Sequence, residues 1–518
     1  MEANHAVVCG KSREVDADVV FDRVTTHDCG GKHGARHWCR AVAIALALQS
    51  LLLYGAFPAW AQSEKPAGEV KRPALQIGSA LRFNEDWSSL EGVDTSRTDD
   101  FWDRVKFIPF TADQSVWLSI GGQARARFEH FDNFQFGASA PKRSDTYLLS
   151  RFRLNTDLHI TPYFRLYFEG KSSLSTDRDL QGRNSTGFYD QADLFNGFAD
   201  VVIPFNKDAG VTLRGGRQEL LYGSQRLVGP GDFTQVPHTF DGGQAIVRIA
   251  DWTVTPFWTQ AVIVDKYKFD KSSPDHQFYG LYTTAPAHLL PMNLDLYYLG
   301  ANNHAATFNS TTGRENRHTL GLRTKGNIGQ TNWDFDLEGA GQFGTVGSAS
   351  IGAGMFTGVL GYTFPVKEWS PRAYFEFDYA SGDRKPGGGV GTFNQLFPNG
   401  HSYLGYIDYI GRQNIISPNA GIAISPIQDL TLTLQQYLFW RASDRDSIYN
   451  KSSAIFRAAG TTHALYVGAE TDLLATYNFT RHLQGYAGYS FFSSGGFIEK
   501  TGRDKNSNFF YAALQYTF

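Results

Sequence analysis

From residue 116 to the end, the chain falls into runs in which apolar and polar residues alternate. The last run is typical. Phe510, Ala512, Leu514, Tyr516 and Phe518 take one set of positions, and Tyr511, Ala513, Gln515 and Thr517 take the other. Side chains of a β-strand point alternately to its two faces, so a period of two predicts a strand with one apolar face. About 18 such strands are predicted. They lie at 116–131, 147–160, 164–171, 194–203, 211–222, 240–249, 252–264, 276–285, 292–300, 317–326, 331–344, 355–364, 371–380, 412–424, 431–440, 467–478, 483–492 and 509–518. The connections at 161–162, 204–210, 250–251, 327–330, 365–370 and 479–482 are short. Those at 132–146, 171–192, 223–239, 381–411 and 441–466 are long and polar.

An even number of alternating strands, joined by short turns at one end and long loops at the other, predicts an all-β transmembrane antiparallel barrel. The short turns then face the periplasm and the long loops the outside, and both barrel ends of the chain lie on the periplasmic side. A soluble sandwich or propeller does not explain Phe, Leu and Trp on one face of nearly every strand with polar groups opposite. A soluble barrel has the reverse order, apolar inside and polar outside. Trp117, Trp258, Tyr362, Trp440, Tyr477 and Phe518 stand at strand ends, as expected of interfacial aromatic girdles.

Composition agrees with this picture. Aromatic residues make up 14% of the chain and glycine contributes 53 residues, yet only 42% is hydrophobic. A helical membrane protein needs runs of roughly 20 apolar residues. The one candidate, residues 41–54, is shorter, follows Arg36 and Arg40, and precedes Ala59-Trp60-Ala61. That combination predicts a secretory signal peptide cleaved after Ala61. The expected organisation is an N-terminal extension plus signal peptide at 1–61, a periplasmic segment at 62–115 and the barrel at 116–518. Residues ahead of the signal fit no part of an ordinary leader and suggest either a start assigned too far upstream, with Val20 or Val24 as candidate starts, or an unusually long n-region. Cys9, Cys29 and Cys39 all precede the cleavage site, so no disulfide, thiol or zinc chemistry is expected in the mature chain.

Removing residues 1–61, with six basic and six acidic groups, leaves 48−6=42 basic against 51−6=45 acidic residues. Function must then come from where charges sit. Alternation turns Arg125, Arg127, Arg151, Arg153, Arg165, Arg214, Arg248, Arg323 and Arg372 into the lumen. Guanidinium groups stay charged and match carboxylate or phosphate with a planar fork, so a ladder of them could pass anions from site to site. Glu129, Asp157, Glu169, Asp200, Glu338, Glu376 and Asp378 share the same phase. Pairing between the two sets, rigidifying the wall, is the competing reading.

Several blocks resemble the alginate export porins. Leu81-Arg82-Phe83-Asn84-Glu85-Asp86-Trp87, with Val105-Lys106-Phe107-Ile108-Pro109-Phe110, is similar to that family's opening segment. Gly121-Gly122-Gln123-Ala124-Arg125-Ala126-Arg127-Phe128-Glu129 resembles its first strand, with Gln123 in place of the usual acid. Gly216-Arg217-Gln218-Glu219-Leu220 with Gln225-Arg226-Leu227, and Ala380-Ser381-Gly382-Asp383 with Thr392-Phe393-Asn394-Gln395-Leu396-Phe397-Pro398, resemble two more. The resemblance implies an 18-stranded outer-membrane channel whose electropositive constriction passes an anionic polysaccharide fed by periplasmic export proteins. It carries that role onto Arg125, Arg127, Arg151, Arg153 and Arg165, and also onto Arg214, Arg217 and Arg226. Strand phase sets Arg217 opposite Arg214, so both line the lumen only if a bulge intervenes. The loop at 381–411 is a candidate lid or a solvated surface loop.

The expected partners are an anionic polysaccharide, outer-membrane lipid and, through the strand ending at Phe518, the barrel assembly machinery, with no nucleic acid and no cofactor. An anion-selective uptake porin for organic or sugar acids is the alternative. A barrel enzyme is the remote one: His130, His159, His238, His276, His318, His401, His463 and His482 show no metal-ligand spacing or nucleophile elbow.

Overall fold

The computed structural model describes Arg72, Pro73 and residues 81–285 and 292–518. The leader, its cleavage site and the three cysteines lie outside the described residues. Eighteen antiparallel strands form the barrel: β1 Val116–Asp132, β2 Asp145–Ile160, β3 Phe164–Ser175, β4 Asp190–Asn206, β5 Ala209–Gln218, β6 Phe240–Ile249, β7 Trp252–Ile263, β8 Lys271–Ala285 and β9 Asn293–Phe308 make the first half. The second half is β10 Thr311–Asn327, β11 Trp333–Val346, β12 Ala349–Thr363, β13 Arg372–Ala380, β14 Ile415–Ile427, β15 Leu430–Trp440, β16 Tyr466–Asn478, β17 Leu483–Ser494 and β18 Ser507–Thr517. Each strand pairs with the next, and β18 closes on β1 from Gln123↔Thr517 to Asp132↔Asn508. Closure leaves no free edge, the condition for a sheet to cross lipid.

Alternation has the predicted sense. Leu154, Phe168, Leu213, Trp258, Leu320, Phe356, Phe375, Leu434, Leu473 and Leu514 stand exposed on the outer face. Such a continuous apolar belt suits hydrocarbon. Inside, Ser119, Gln123, Arg125, Arg151, Asn155, Asp157 and Glu169 are buried. Toward the long-loop end the inner face turns apolar. Phe131, Tyr147, Leu149, Phe240, Phe278, Phe439, Phe492 and Phe509 belong to one core with the loop residues Phe136, Leu227, Phe393, Leu404 and Tyr409. The upper lumen is thus filled by side chains and inserted loops.

Two connections at that end differ from the long-loop expectation. β9 and β10 pair up to Phe308↔Thr311, and β11 and β12 up to Val346↔Ala349, leaving two-residue turns. These strands overrun their predicted ends because polar residues occupy both faces there, as at Asn302, Asn303 and His304, so alternation gives no signal while the ladder continues.

At the short-turn end, which faces the periplasm in an outer-membrane barrel, the pairing of β18 with β1 reaches no further than Gly122, so the first residues of β1 lack β18 on that side. Ile108 and Pro109 cover that edge, opposite Leu118 and Trp117. The chain before them packs into the same mouth. Phe83 meets Tyr167 and Phe198 edge-on, Arg82 donates 2.7 Å to the Phe518 carbonyl, and Phe107 stacks on Trp117. Two girdle assignments are therefore corrected: Trp117 is an inward, buried residue also stacked on His159, and Phe518 stacks on Trp102 at 3.8 Å. The glycine pair of the first strand makes this possible. A Cβ at Gly121 would lie 2.8 Å from Asn155 Oδ1 and 2.9 Å from Lys106 Nζ. One at Gly122 would lie 2.6 Å from the Phe518 ring.

Lys106 ends a short helix, Asp103–Lys106, with its ammonium 4.8 Å from the Trp87 ring and no hydrogen-bond acceptor. Burial pushes it down from 10.5 to about 7. Released from the mouth it titrates at its usual value, so between these pH values docking releases a proton and strengthens as pH rises. Amide exchange at residues 81–110, corrected for intrinsic rate, should slow between pH 7 and 10, and Lys106→Met should abolish that dependence. Gly121→Val should make the segment protease-sensitive while the barrel keeps its β-sheet circular dichroism; unchanged protection would show that the close approach at Gly121 does not seat it.

Candidate functional site

β5 ends at Gln218 rather than running on to Tyr222, and residues 219–239 then turn into the lumen. Leu220, Leu227, Val228 and Val236 are buried along this loop, so apolar burial holds it inside. A second inserted loop, 381–414, pairs with it. Gly229 N donates 2.9 Å to Phe397 O, Phe397 N donates 3.0 Å to Leu227 O, and Asn399 N donates 2.9 Å to Gln225 O. The Tyr403 hydroxyl donates to the Ser224 carbonyl. The 381–411 stretch, a lid or surface loop in the sequence reading, is in fact an internal buttress, with Phe393, Leu404, Ile407 and Ile410 all buried.

The first wall is basic. Arg125 stands directly opposite Arg151 in the β1–β2 ladder, and Gln123 opposite Arg153. Like charges facing each other across strands are destabilising, more so when desolvated. Their counter-charge comes from the inserted loop. Asp232 Oδ1 lies 2.7 Å from Arg151 NH2 and 3.1 Å from Arg153 NH2, and Oδ2 lies 3.7 Å from Arg125 NH1. Backbone oxygens add to it. Arg125 NH1 and Arg151 NH1 donate 3.0 and 2.9 Å to Asp232 O, Arg151 NH1 donates 3.3 Å to Thr234 O, and Arg127 NH1 donates 2.6 Å to Phe233 O. Arg127 also pairs with Glu129 at 2.7 Å and lies 3.9 Å from the Phe233 ring centroid. The Nε atoms of Arg125, Arg151 and Arg153 are buried and, among the described residues, have no acceptor.

The opposite wall is acidic at this level, and the same loop answers it. Arg226 NH1 lies 3.1 Å from Asp336 and 3.3 Å from Glu338, and NH2 lies 3.7 Å from Glu376. Arg412, from the buttress loop, pairs with Asp378 at 3.0 Å. The loop is a strut across the barrel, with a cation on the acidic wall and an anion on the basic wall.

The other predicted arginines are paired by the wall itself. Arg165 takes Asp157 at 2.7 Å, Arg214 takes Asp200 at 2.7 Å, Arg323 takes Asp295 at 3.0 Å and Asp336 at 2.8 Å, and Arg372 takes Asp334 at 2.6 Å. Arg217 does not join Arg214. No bulge separates them in the β4–β5 ladder, and Arg217 binds Asp193 at 3.1 Å and Asp241 at 2.8 Å near the strand top. Arg248 is exposed and, among the described residues, has no ion pair. It lines a cavity of about 1150 Å³ at the periplasmic end together with Phe83, Arg165, Arg214, Glu219, Tyr222 and Tyr282.

Sequence reasoning missed Asp232, Arg317 and Arg412. Asp232 lies in a loop, where a period of two says nothing. Arg412 opens the predicted strand 412–424 but precedes β14, and Arg317, paired with Glu315 at 2.5 Å, opens the predicted strand 317–326 in the same phase as Arg323, so alternation held the signal for it. Among the described residues one carboxylate trio, Asp190, Asp193 and Asp270, brings oxygens within 4.8 Å of one another. Lys171 already reaches Asp190 at 2.7 Å and Arg217 reaches Asp193, so the protein's own cations serve it. His401 is buried, stacked on Phe233 at 3.4 Å and 3.2 Å from Asp408.

The family model for alginate export matches residues 116–512. Comparison with curated proteins gives no match. Among solved structures, Pseudomonas aeruginosa OpdO aligns with a TM-score of 0.53 at 12% identity, over 77% of this chain and 97% of that one. P. aeruginosa OccK2 (OpdF), solved in complex with glucuronate, aligns at 0.51 and 14%, over 77% and 98%. OccAB1 of Acinetobacter baumannii aligns at 0.51 and 12%, over 80% and 99%. At these identities the likeness is one of fold. Shared architecture and the apolar belt put the protein in the bacterial outer membrane.

Wall pairs and loop pairs should behave differently on mutation. Arg214→Ala leaves the buried Asp200 with only the longer contact to Arg165 at 3.6 Å and is expected to cost about 3 kcal/mol, read by guanidinium unfolding in lipid vesicles. Arg248→Ala, which breaks no pair, should leave the unfolding midpoint unchanged.

Proposed function

The chain belongs to the alginate export family, and we propose that its lumen is a passive path for an anionic polysaccharide of the polyuronate kind. One observation carries the reading. Among the described residues, Arg125, Arg151 and Arg153 have no ion pair with a carboxylate of their own wall; the carboxylate that pairs with them, Asp232, is on a loop. Arginines that merely brace a barrel are matched by the neighbouring strand, as Arg214 is by Asp200. A basic patch matched only by a loop regains its attraction for anions when that loop shifts. Guanidinium groups suit carboxylates geometrically as well as by charge. Several adjacent sites of moderate strength favour passage over retention. Arg165, Arg214 and Arg248 around the periplasmic cavity would meet the anion first, where export proteins of the periplasm could deliver it. We assign no catalytic step to the histidines.

A second reading is uptake of sugar acids or other small organic anions. The periplasmic cavity with Arg248 open to it favours this, since a single sugar acid fits about 1150 Å³. The solved relative bound to glucuronate is consistent with that ligand class. A passive pore has no inherent direction, so both readings use the same residues.

Reconstituted in planar bilayers, the purified barrel is expected to be anion-selective, with current reduced by mannuronate or guluronate oligomers. Arg153→Glu should move the reversal potential toward cations. Cation selectivity without block by uronates would overturn the proposal. Block by monomeric sugar acids with indifference to oligomers would favour uptake.

A further inference from the structure

We propose that the Asp232 carboxylate, with the carbonyls of Asp232, Phe233 and Thr234, is a built-in surrogate for the transported anion, so that the basic wall is a carboxylate site filled in cis. This rests on the anion-path reading and adds to it how the site is kept closed and what opens it. The surrogate's chemistry is that of a uronate: one carboxylate beside a run of neutral oxygens. The carboxylate takes the NH2 groups of Arg151 and Arg153 at 2.7 and 3.1 Å, while the carbonyls take Arg125, Arg127 and Arg151. The fit is incomplete. Among the described residues, Nε of Arg125, Arg151 and Arg153 find no acceptor although all three side chains are almost fully buried, so the site has donors that its resident leaves unused. An incoming acidic saccharide with more oxygens can satisfy them.

The loop is also built so that its tip can leave without unthreading. Arg226 on the acidic wall and the backbone pairing of Leu227 and Gly229 with Phe397 hold the strut from the other side. The tip itself is held by Phe233, stacked on His401, and by Gln235, whose Nε2 donates 2.7 Å to Ser150 O. A resident ligand competes with the mobile one, and the apparent affinity falls by the fraction of time that the site is vacant.

The test compares wild type, Asp232→Asn and Asp232→Ala, each as the full barrel in bilayers and in detergent. Asp232→Asn keeps the shape of the side chain and removes its charge. The half-blocking concentration of a mannuronate trimer is expected to fall about tenfold or more in Asp232→Asn, because the competitor is weakened. Acetate is expected to raise the thermal midpoint of Asp232→Ala, by entering the vacated position, and to leave the wild type unchanged. Equal block in wild type and Asp232→Asn with no effect of acetate on Asp232→Ala would overturn the surrogate and leave the anion path standing. Acetate rescue with no uronate block in any protein would support a carboxylate site while overturning polyuronate transport.

Discussion

Arg125 and Arg151 face each other across two paired strands in a place closed to water. Most of the interior follows from that contact. Neither guanidinium can lose its proton, and separating each from water without a counter-ion costs several kcal/mol. The neighbouring wall positions supply neutral partners such as Gln123, which accepts from Arg151 at 3.0 Å. An anion must therefore arrive from elsewhere, and the loop that brings Asp232 has to cross the lumen to do so. Crossing it, the loop meets the mirror problem on the far wall, where Asp336, Glu338 and Glu376 crowd together, and Arg226 resolves it. One loop balances both walls.

The buttress loop is a consequence of the strut. A chain crossing a wide barrel has unpaired backbone groups on both sides, and buried amides need partners. Residues 381–414 provide them through the ladder of Phe397 against Leu227 and Gly229, and through Tyr403 on Ser224. Its own aromatic and aliphatic residues complete the core begun by the inward faces of the strands. That division explains why the inner surface changes from polar to apolar along one strand: Arg151 and Arg153 meet the strut, while Leu149, two residues on, meets packed side chains.

Local alternation made the barrel legible. Each of the 18 barrel strands was found from its period, and the closing pair of β18 with β1 follows from having an even number of them. The girdle assignments of Trp117 and Phe518 failed for a physical reason: a period reports which face a residue takes, whereas what covers that face depends on residues far away in sequence. Here the covering segment is the stretch around Arg82 and Lys106, and Gly121 and Gly122 were its only local trace. The basic wall was legible as a set of like charges sharing one phase. Its partner was not, because Asp232 lies in a loop whose backbone has no fixed period.

The arginines separate into two kinds by what neutralises them. Arg165, Arg214 and Arg323 are bound to carboxylates on adjacent strands, and Arg372 to one on the strand beyond its neighbour, so the spacing of those pairs is set by the hydrogen-bonded ladder. Arg125, Arg151 and Arg153 are bound to a loop, whose position is set by side-chain packing that can rearrange while every strand stays paired. Bracing and recognition thus use the same side chain and the same kind of ion pair. The difference lies in the partner's backbone. A wall that must stay rigid while its interior exchanges one anion for another needs both kinds, and strand phase alone could not tell them apart.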